Sequence, residues 1–533
     1  MLKINLAGCA TALVLALASG NALAVKNFVY CSEGSPSNFN PQISTDGTTY
    51  NTTRALYNRL VEFKNGETVL IPGLAESWTV APNGLTYTFK LRKGVKWHET
   101  AKFKPTRDFN ADDVLFSFNR QRDPNHPFNK VNGGNYEYFD SMEMKGLIGD
   151  ITKNGDYEVS FTLTHPEAPF IANLAMDFAS ILSAEYGDAL MKAKTPEKID
   201  WEPVGTGPFV FGGYEKDQTV RFKSNPTFFR GKPALDNLIF SITTDSSVRF
   251  QKLKTGECQF MFGPAFQDLK AMKADPKLQV VSGEGLNIGY LSMNVEKKPF
   301  DNVKVRQAVN FALNRKAYID AVYMGNGVVA KNPMPPSMWS YNNAIKDYDY
   351  NPEKSKALLK EAGLPDGFET DLWTMPVERP YMPNGKKLGE MMQADLAKVG
   401  IKVKLVTFDW PIYLEKSKKG EHSMLQMGWT GDNGDPDNFL NVLLSCSAVA
   451  AGGNRSRWCN KEFDDLIQKA RLTTKVEERS KLYAKAQEIF KREAPWVTVA
   501  HSVVFKTMAK NVQGYKLDPF GGDYFDQVDL SAK

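Results

Sequence analysis

The strongest constraint on how this chain can fold lies at its start. Lys3 precedes an apolar run from Leu6 to Ala18, and Ala22-Leu23-Ala24 closes the segment. A positive n-region, a short apolar core and a small-residue exit make up the layout of a secretory leader, with cleavage expected after Ala24 and a mature chain from Val25. The apolar run is shorter than the roughly 20 residues a bilayer span needs, and charges or glycine break every later apolar run. Leu6-Ala7-Gly8-Cys9 has the letters of a lipobox, but only Met1 to Asn5 precede it and the apolar core comes after it. Cleavage without acylation is therefore expected, and with it a soluble domain that folds where thiols oxidise.

That compartment gives the cysteines a meaning. Five occur; Cys9 leaves with the leader, and Cys31, Cys258, Cys446 and Cys459 remain. An even set in an exported chain predicts disulfides. Four cysteines allow three connectivities, and the sequence does not choose among them. Cys446–Cys459 is the simplest local bridge, worth about 3 kcal/mol in the chain-entropy model; it would leave Cys31–Cys258 as the second. No C-x-x-C or C-x-x-H pair supports zinc. At 533 residues, 42% hydrophobic and 24% charged, the chain reads as globular and larger than a single core. Its net charge of +5 includes Lys3 and is spread among interspersed acids. No basic block suited to a phosphate backbone stands out, so nucleic acid is not the expected partner.

Periodicity predicts mixed α and β structure. Thr86–Leu91 alternates polar and apolar residues as a half-buried strand does. Asn110 is placed to cap a helix from Ala111, with Asp112 and Asp113 in its first turn. Further strands are expected at Val159–Leu163, Val220–Lys223, Leu238–Thr243 and Ile288–Asn294. From about residue 300 helices and strands alternate. One long helix is expected over Val303–Tyr323, with Val305, Ala308, Val309, Ala312 and Leu313 on one face. A second starts at Pro352 and ends at Gly363. A third spans about Lys387–Lys398, stops at Gly400 and leads into a strand Ile401–Thr407. A last helix, about Val476–Glu493, precedes a strand at Trp496–Ala500.

A search for catalysis returns little. No G-x-S-x-G elbow, H-E-x-x-H pair or Walker loop is present. Gly325-Asn326-Gly327-Val328-Val329-Ala330, with Asp347 downstream, has the letters of a dinucleotide fingerprint, but it comes after a helix where that motif needs a preceding strand. His98, His126, His165, His422 and His501 lack metal-ligand spacing. The acid-rich loop Gly431–Asn438 lacks the ligand register of a calcium loop. It does gather an indole (Trp429), a hydroxyl (Thr430), backbone amides (Gly431) and a carboxylate (Asp432) in a short space, as a ligand wall would.

These residues lead to a resemblance. Ala75-Glu76-Ser77-Trp78, Tyr87 to His98, Ala111-Asp112-Asp113-Val114, Phe116-Ser117-Phe118, Gly205-Thr206-Gly207-Pro208-Phe209 and Val305-Arg306-Gln307-Ala308 resemble the signature of the peptide- and nickel-type solute-binding proteins. The likeness runs from about Phe28 to the C-terminus. Tyr30 to Pro36, Met375 to Tyr381 and Gly428 to Asp437 resemble the dipeptide-binding members in particular.

The resemblance implies a two-lobed α/β periplasmic binding fold, a Venus flytrap with an extra subdomain in its first lobe. The segments expected are 1–24 for the leader, 25–62, 193–283 and 503–533 for the first subdomain, 63–192 for the second, and 284–502 for the second lobe. It also implies the pairing Cys31–Cys258 and Cys446–Cys459. Arg379 would grip a ligand carboxylate and Asp432 its ammonium. Pro380, Tyr381, Trp429, Thr430 and Gly431 would line the site from the second lobe, and Thr45, Asp46 and Gly47 from the first. Asp46 stands where the resemblance implies a small residue. The implied activity is capture of dipeptides in the periplasm by hinge closure and delivery to an inner-membrane ABC permease, without catalysis and without a metal or cofactor. A monomer is implied, and a chemotaxis receptor stands as a further candidate partner. Relatives that bind haem or glutathione supply the alternative cargo.

Overall fold

The computed structural model describes residues 25–531. The leader, its cleavage point and Cys9 lie outside the described residues.

The alternation in Thr86–Leu91 becomes a strand with Tyr87, Phe89 and Leu91 buried. It is an inner strand of an antiparallel four-stranded sheet in the order 75–80, 86–91, 158–163, 148–155. Helix Ala111–Arg122 covers this sheet, and Phe118 meets Phe161 edge-on with ring centroids 4.9 Å apart. The helix starts where its cap predicts. Asn110 accepts from the Asp112 amide at 2.9 Å, and Asp113 accepts in return from the Asn110 amide at 3.0 Å. Such a cap contributes about 1 kcal/mol.

A twelve-stranded sheet carries the rest of the architecture. One part holds Asn27–Ser32 in parallel between Asn237–Ile242 and Phe260–Met261, flanked by Thr219–Ser224 and Phe209–Glu215. Phe28, Tyr30, Phe240, Phe260 and Phe525 pack beneath it. The other part holds Asn287–Met293, Phe368–Trp373, Ile401–Val406 and Met424–Thr430. Its core includes Leu291, Val305, Val309, Leu372, Leu388 and Met392. The fold is thus the two-lobed α/β flytrap expected, with the four-stranded sheet as the added subdomain.

One strand joins the lobes. Trp496–Ala509 extends far beyond the expected Trp496–Ala500. Its first half pairs with 287–293 and 327–329, its second half with 260–261 and 278–284. The chain makes a second crossing between Glu284 and Asn287. The buried Asn287 side chain ties the two crossings together. Its Nδ2 donates to Ser502 O at 3.0 Å, and its Oδ1 accepts from Ser502 N at 2.9 Å and Ser502 Oγ at 3.1 Å. Gly285 leaves room for this clamp, since a Cβ there would lie 2.2 Å from Asn287 Nδ2.

The expected single helix 303–323 is two helices, Val303–Ala312 and Arg315–Ala321. Leu313 is extended (φ −96°, ψ 121°), and Asn314 caps the second helix by accepting from the Ala317 amide at 3.2 Å. The asparagine competed successfully with helix continuation, as short polar side chains do. The helix Pro352–Glu361 ends before Gly363 at φ +81° as expected, and the third begins two residues early at Gly385 because Asn384 caps it. The glycines at 325–327 form a turn that enters the short strand Gly327–Val329, which is not the phosphate-binding context. Cys31–Cys258 and Cys446–Cys459 are bonded, with Cα atoms 5.9 and 4.6 Å apart. The first pair is a consequence of the sheet, because Tyr30 lies opposite Phe260.

Replacing Asn287 by Ala strands the Ser502 backbone groups in the interior, a loss of about 2–3 kcal/mol. Urea titration of Asn287→Ala should show the corresponding fall in midpoint; an unchanged midpoint would contradict the clamp.

Candidate functional site

Strands Phe368–Trp373 and Met424–Thr430 are parallel neighbours, with Leu372 opposite Met424. The loops that leave their C-terminal ends carry Arg379 and Asp432. Parallel α/β sheets bind ligands at this edge.

The first loop is a tight turn. The Arg379 amide donates to Met382 O at 3.1 Å and the Met382 amide to Arg379 O at 2.9 Å, with Pro380 and Tyr381 at the apex. The Tyr381 ring packs against Gly428, where a Cβ would approach it to 2.1 Å. Tyr323 Oη fixes the backbone by donating to Tyr381 O at 2.8 Å. Anchored this way, the turn presents a half-buried Arg379. Its guanidinium lies 5.9 Å from the centroid of the Trp410 ring and donates to Glu378 O at 3.2 Å. A planar, bidentate donor over an aromatic face suits a carboxylate.

The second loop needs glycine at 431, because a Cβ would come within 2.7 Å of the Phe439 ring while the amide donates to Leu286 O at 2.6 Å. Asn438 holds the loop in shape from its far end. Its Oδ1 accepts from the Asp432 amide and from Trp429 Nε1, both at 2.9 Å, and its Nδ2 donates to Asp432 Oδ2 at 3.3 Å. Tyr138, from the subdomain facing this lobe, donates to Asp432 Oδ1 at 3.3 Å. Burial pushes the Asp432 carboxyl up to about 7, against the hydrogen bonds from Asn438 and Tyr138 and the more distant Arg54, which favour its charge. The other loop acids are spent on arginines. Asp435 takes a bidentate pair from Arg479 at 2.8 Å, and Asp437 lies 3.9 Å from Arg471.

The first-lobe segment is less tied to the site. Thr45 and Gly47 are exposed, and Asp46 caps the helix Gly47–Thr53, accepting from the Thr49 amide at 2.8 Å and from Ser37 Oγ at 3.2 Å. Its carboxylate serves that helix, which explains a cap residue where a small one was expected. Nothing in the sequence alone singles out Trp410, Asn438 or Tyr138 as site residues. Asn438, six residues past Asp432 in an Asx-rich loop, could have been suspected as a turn former. Tyr138, 294 positions away, could not.

Further contacts close the subdomain onto the second lobe. Lys418 meets Glu137 at 2.7 Å, and Asn433 Nδ2 donates to Asn173 Oδ1 at 2.7 Å. Arg471 meets Glu143 at 2.7 Å and Glu167 at 3.1 Å.

Comparison with known proteins fits this geometry. Residues 69–451 match the profile of the bacterial extracellular solute-binding proteins, family 5 Middle. The chain belongs to that family. It is 54% identical to the dipeptide-binding protein of Escherichia coli K12 over 531 residues, covering 99% of this chain and 98% of that one. It is 48% identical to heme-binding protein A of Haemophilus influenzae over 546 residues, all of both chains. It superposes on the dipeptide-binding protein of Pseudoalteromonas sp. SM9913 in complex with Met-Leu with a TM-score of 0.89 at 38% identity, covering 95% of this chain and all of the other.

In this family 5 protein no helix among the described residues is long and apolar enough to cross a membrane. Among the same residues no three His, Cys, Asp or Glu side chains gather as metal ligands.

The raised Asp432 carboxyl has a consequence for closure. A carboxyl with a higher pKa in the closed form binds its proton more tightly there than in an open, solvated form. If the lobes part and expose Asp432, closing them without ligand would take up a proton and would gain ground as pH falls through about 7. Burial raises Glu167 and Asp437 in the same direction. Small-angle scattering of ligand-free protein should show a smaller radius of gyration at pH 5.5 than at pH 8, with a weaker pH dependence in Asp432→Asn. Equal radii at both pH values would contradict this.

Proposed function

We propose that this protein captures dipeptides between its two lobes and delivers them to the permease of an ABC importer, and that it catalyses no reaction. One observation carries the reading. A presented guanidinium and a buried carboxylate stand on neighbouring strand-end loops of one lobe, and Tyr138 of the facing subdomain touches the carboxylate. An extended dipeptide holds its terminal charges about 7 Å apart. Arg379 takes the carboxylate and Asp432 the ammonium, so the pair recognises both ends and leaves side chains free to vary. Pro380, Tyr381, Trp429, Thr430 and Gly431 form the wall of the second lobe, and Thr45 to Gly47 border it from the first. The names of the Escherichia coli and Pseudoalteromonas relatives support this cargo.

The lobes divide at the two strand crossings. The first comprises 25–62, 63–192, 193–283 and 503–533, the second 284–502. The mature protein works as a monomer in the periplasm after cleavage behind Ala24, and a chemotaxis receptor could read the same closed form. The haem-binding relative makes haem the second reading. Against it, the buried histidines are committed to backbone: His98 to Gly207 O, His422 to Arg455 O and His501 to Asn287 O.

Calorimetric titration of ligand-stripped protein with Ala-Ala, glutathione and haemin tests the proposal. Ala-Ala should bind, and Arg379→Ala and Asp432→Ala should each weaken it about 10- to 100-fold, as loss of a charged hydrogen-bond partner does. Wild-type affinity in both variants would sink it, and binding of haemin or glutathione alone would move the cargo.

A further inference from the structure

A small cavity of about 20 Å³ lies beside Asp432, lined by Tyr50, Arg54, Tyr138, Met176, Asp177, Asp432 and Phe520. That is room for about one water and no more. Every other side chain in this wall comes from outside the second lobe as divided above, so the cavity exists only because other parts of the chain press against the Asp432 loop. Two of its lining residues form an ion pair. Arg54 Nε donates to Asp177 Oδ1 at 3.1 Å and Oδ2 at 3.2 Å, and Arg54 Nη2 donates to Oδ2 at 2.7 Å. Arg59 adds a bond to Oδ1 at 3.0 Å, and the Arg54 and Asp177 side chains are each 11% exposed. The Arg54 guanidinium also lies 5.7 Å from the centroid of Tyr50 and 5.2 Å from that of Tyr524. Phe520 completes the lining, with its ring 4.6 Å from that of Phe63.

We infer that the Arg54–Asp177 ion pair, with Phe520, is the stop at the ammonium end of the site and sets the length of peptide the protein accepts. This rests on the dipeptide reading above. With a ligand carboxylate fixed at Arg379, each added residue moves the ammonium about 3.5 Å further along. The ammonium of a tripeptide would pass Asp432 and enter this cavity, which holds a water but not a residue. It would meet the cation of Arg54 there, while the carboxylate of Asp177 that could receive it is already occupied by two guanidinium groups. The site thus rejects the longer ligand by filled space and by a spent counter-charge, a form of selection against the wrong partner. Removing Arg54 changes both terms, since it opens the cavity and releases half of the charge held on Asp177. Removing the Phe520 ring changes only the space.

Calorimetry with Ala-Ala and tri-alanine on wild type, Arg54→Ala and Phe520→Ala tests the inference. Wild type should prefer Ala-Ala. Arg54→Ala should raise the tri-alanine to Ala-Ala affinity ratio at least tenfold, and Phe520→Ala should raise it by a smaller factor. Retained Ala-Ala binding reports that a variant is folded, and Phe520→Ala serves if loss of the buried arginine unfolds the chain. Ratios unchanged in folded variants overturn the stop. If wild type itself binds no Ala-Ala, the dipeptide reading fails instead.

Discussion

The strand Trp496–Ala509 is shared by both lobes, and the proposed capture of a ligand between them requires that they move relative to one another. Its two halves are bonded to different strands of the twelve-stranded sheet, so any motion has to be absorbed at its middle, where His501, Ser502 and Val503 pass from one set of partners to the other. Buried backbone groups cannot be left unpaired there without cost. Asn287 answers that constraint by satisfying both the amide and the carbonyl of Ser502 with one side chain. The second crossing lies next to it, so both connections bend over a single point. That arrangement is the one a rigid-body hinge between the lobes would need.

Everything at the opposite end of the cleft depends on the lobes meeting. The Asp432 carboxylate is organised by Asn438 of its own lobe, and Tyr138 reaches it from the other side. The ion pairs of Lys418 with Glu137 and of Arg471 with Glu143 and Glu167 cross the same boundary. In the proposed function, a ligand ammonium at Asp432 would replace the proton that burial otherwise favours and so would bias the protein toward the closed form.

Local chemistry was readable in the sequence where a residue acts on its immediate neighbours. The Asn110 cap with Asp113, the helix limits at Pro352 and Gly363, and the alternation in Thr86–Leu91 all stand as their spacing predicts, because each rests on bonds a few residues long. Asn314 is the instructive miss. The apolar stripe of 303–323 reads as one helix, and the break is set by a single side chain that offers its oxygen to Ala317. The length of the last strand was also out of reach, since its second half is strand only because 278–284 lies beside it. At the site, the loops bearing Arg379 and Asp432 could be found through their likeness to a family. Trp410 and Tyr138 come to those loops through tertiary packing, which leaves no local pattern.

The proposed function has this family 5 protein recognise a small peptide by the charges at its two ends. The most direct measurement is calorimetric titration with Ala-Ala beside its two blocked forms, N-acetyl-Ala-Ala and Ala-Ala amide, at one pH and salt concentration. The free dipeptide should bind, and blocking either end should remove most of the affinity. Equal binding of all three would contradict it, because neither Arg379 nor Asp432 would then be reading a terminal charge.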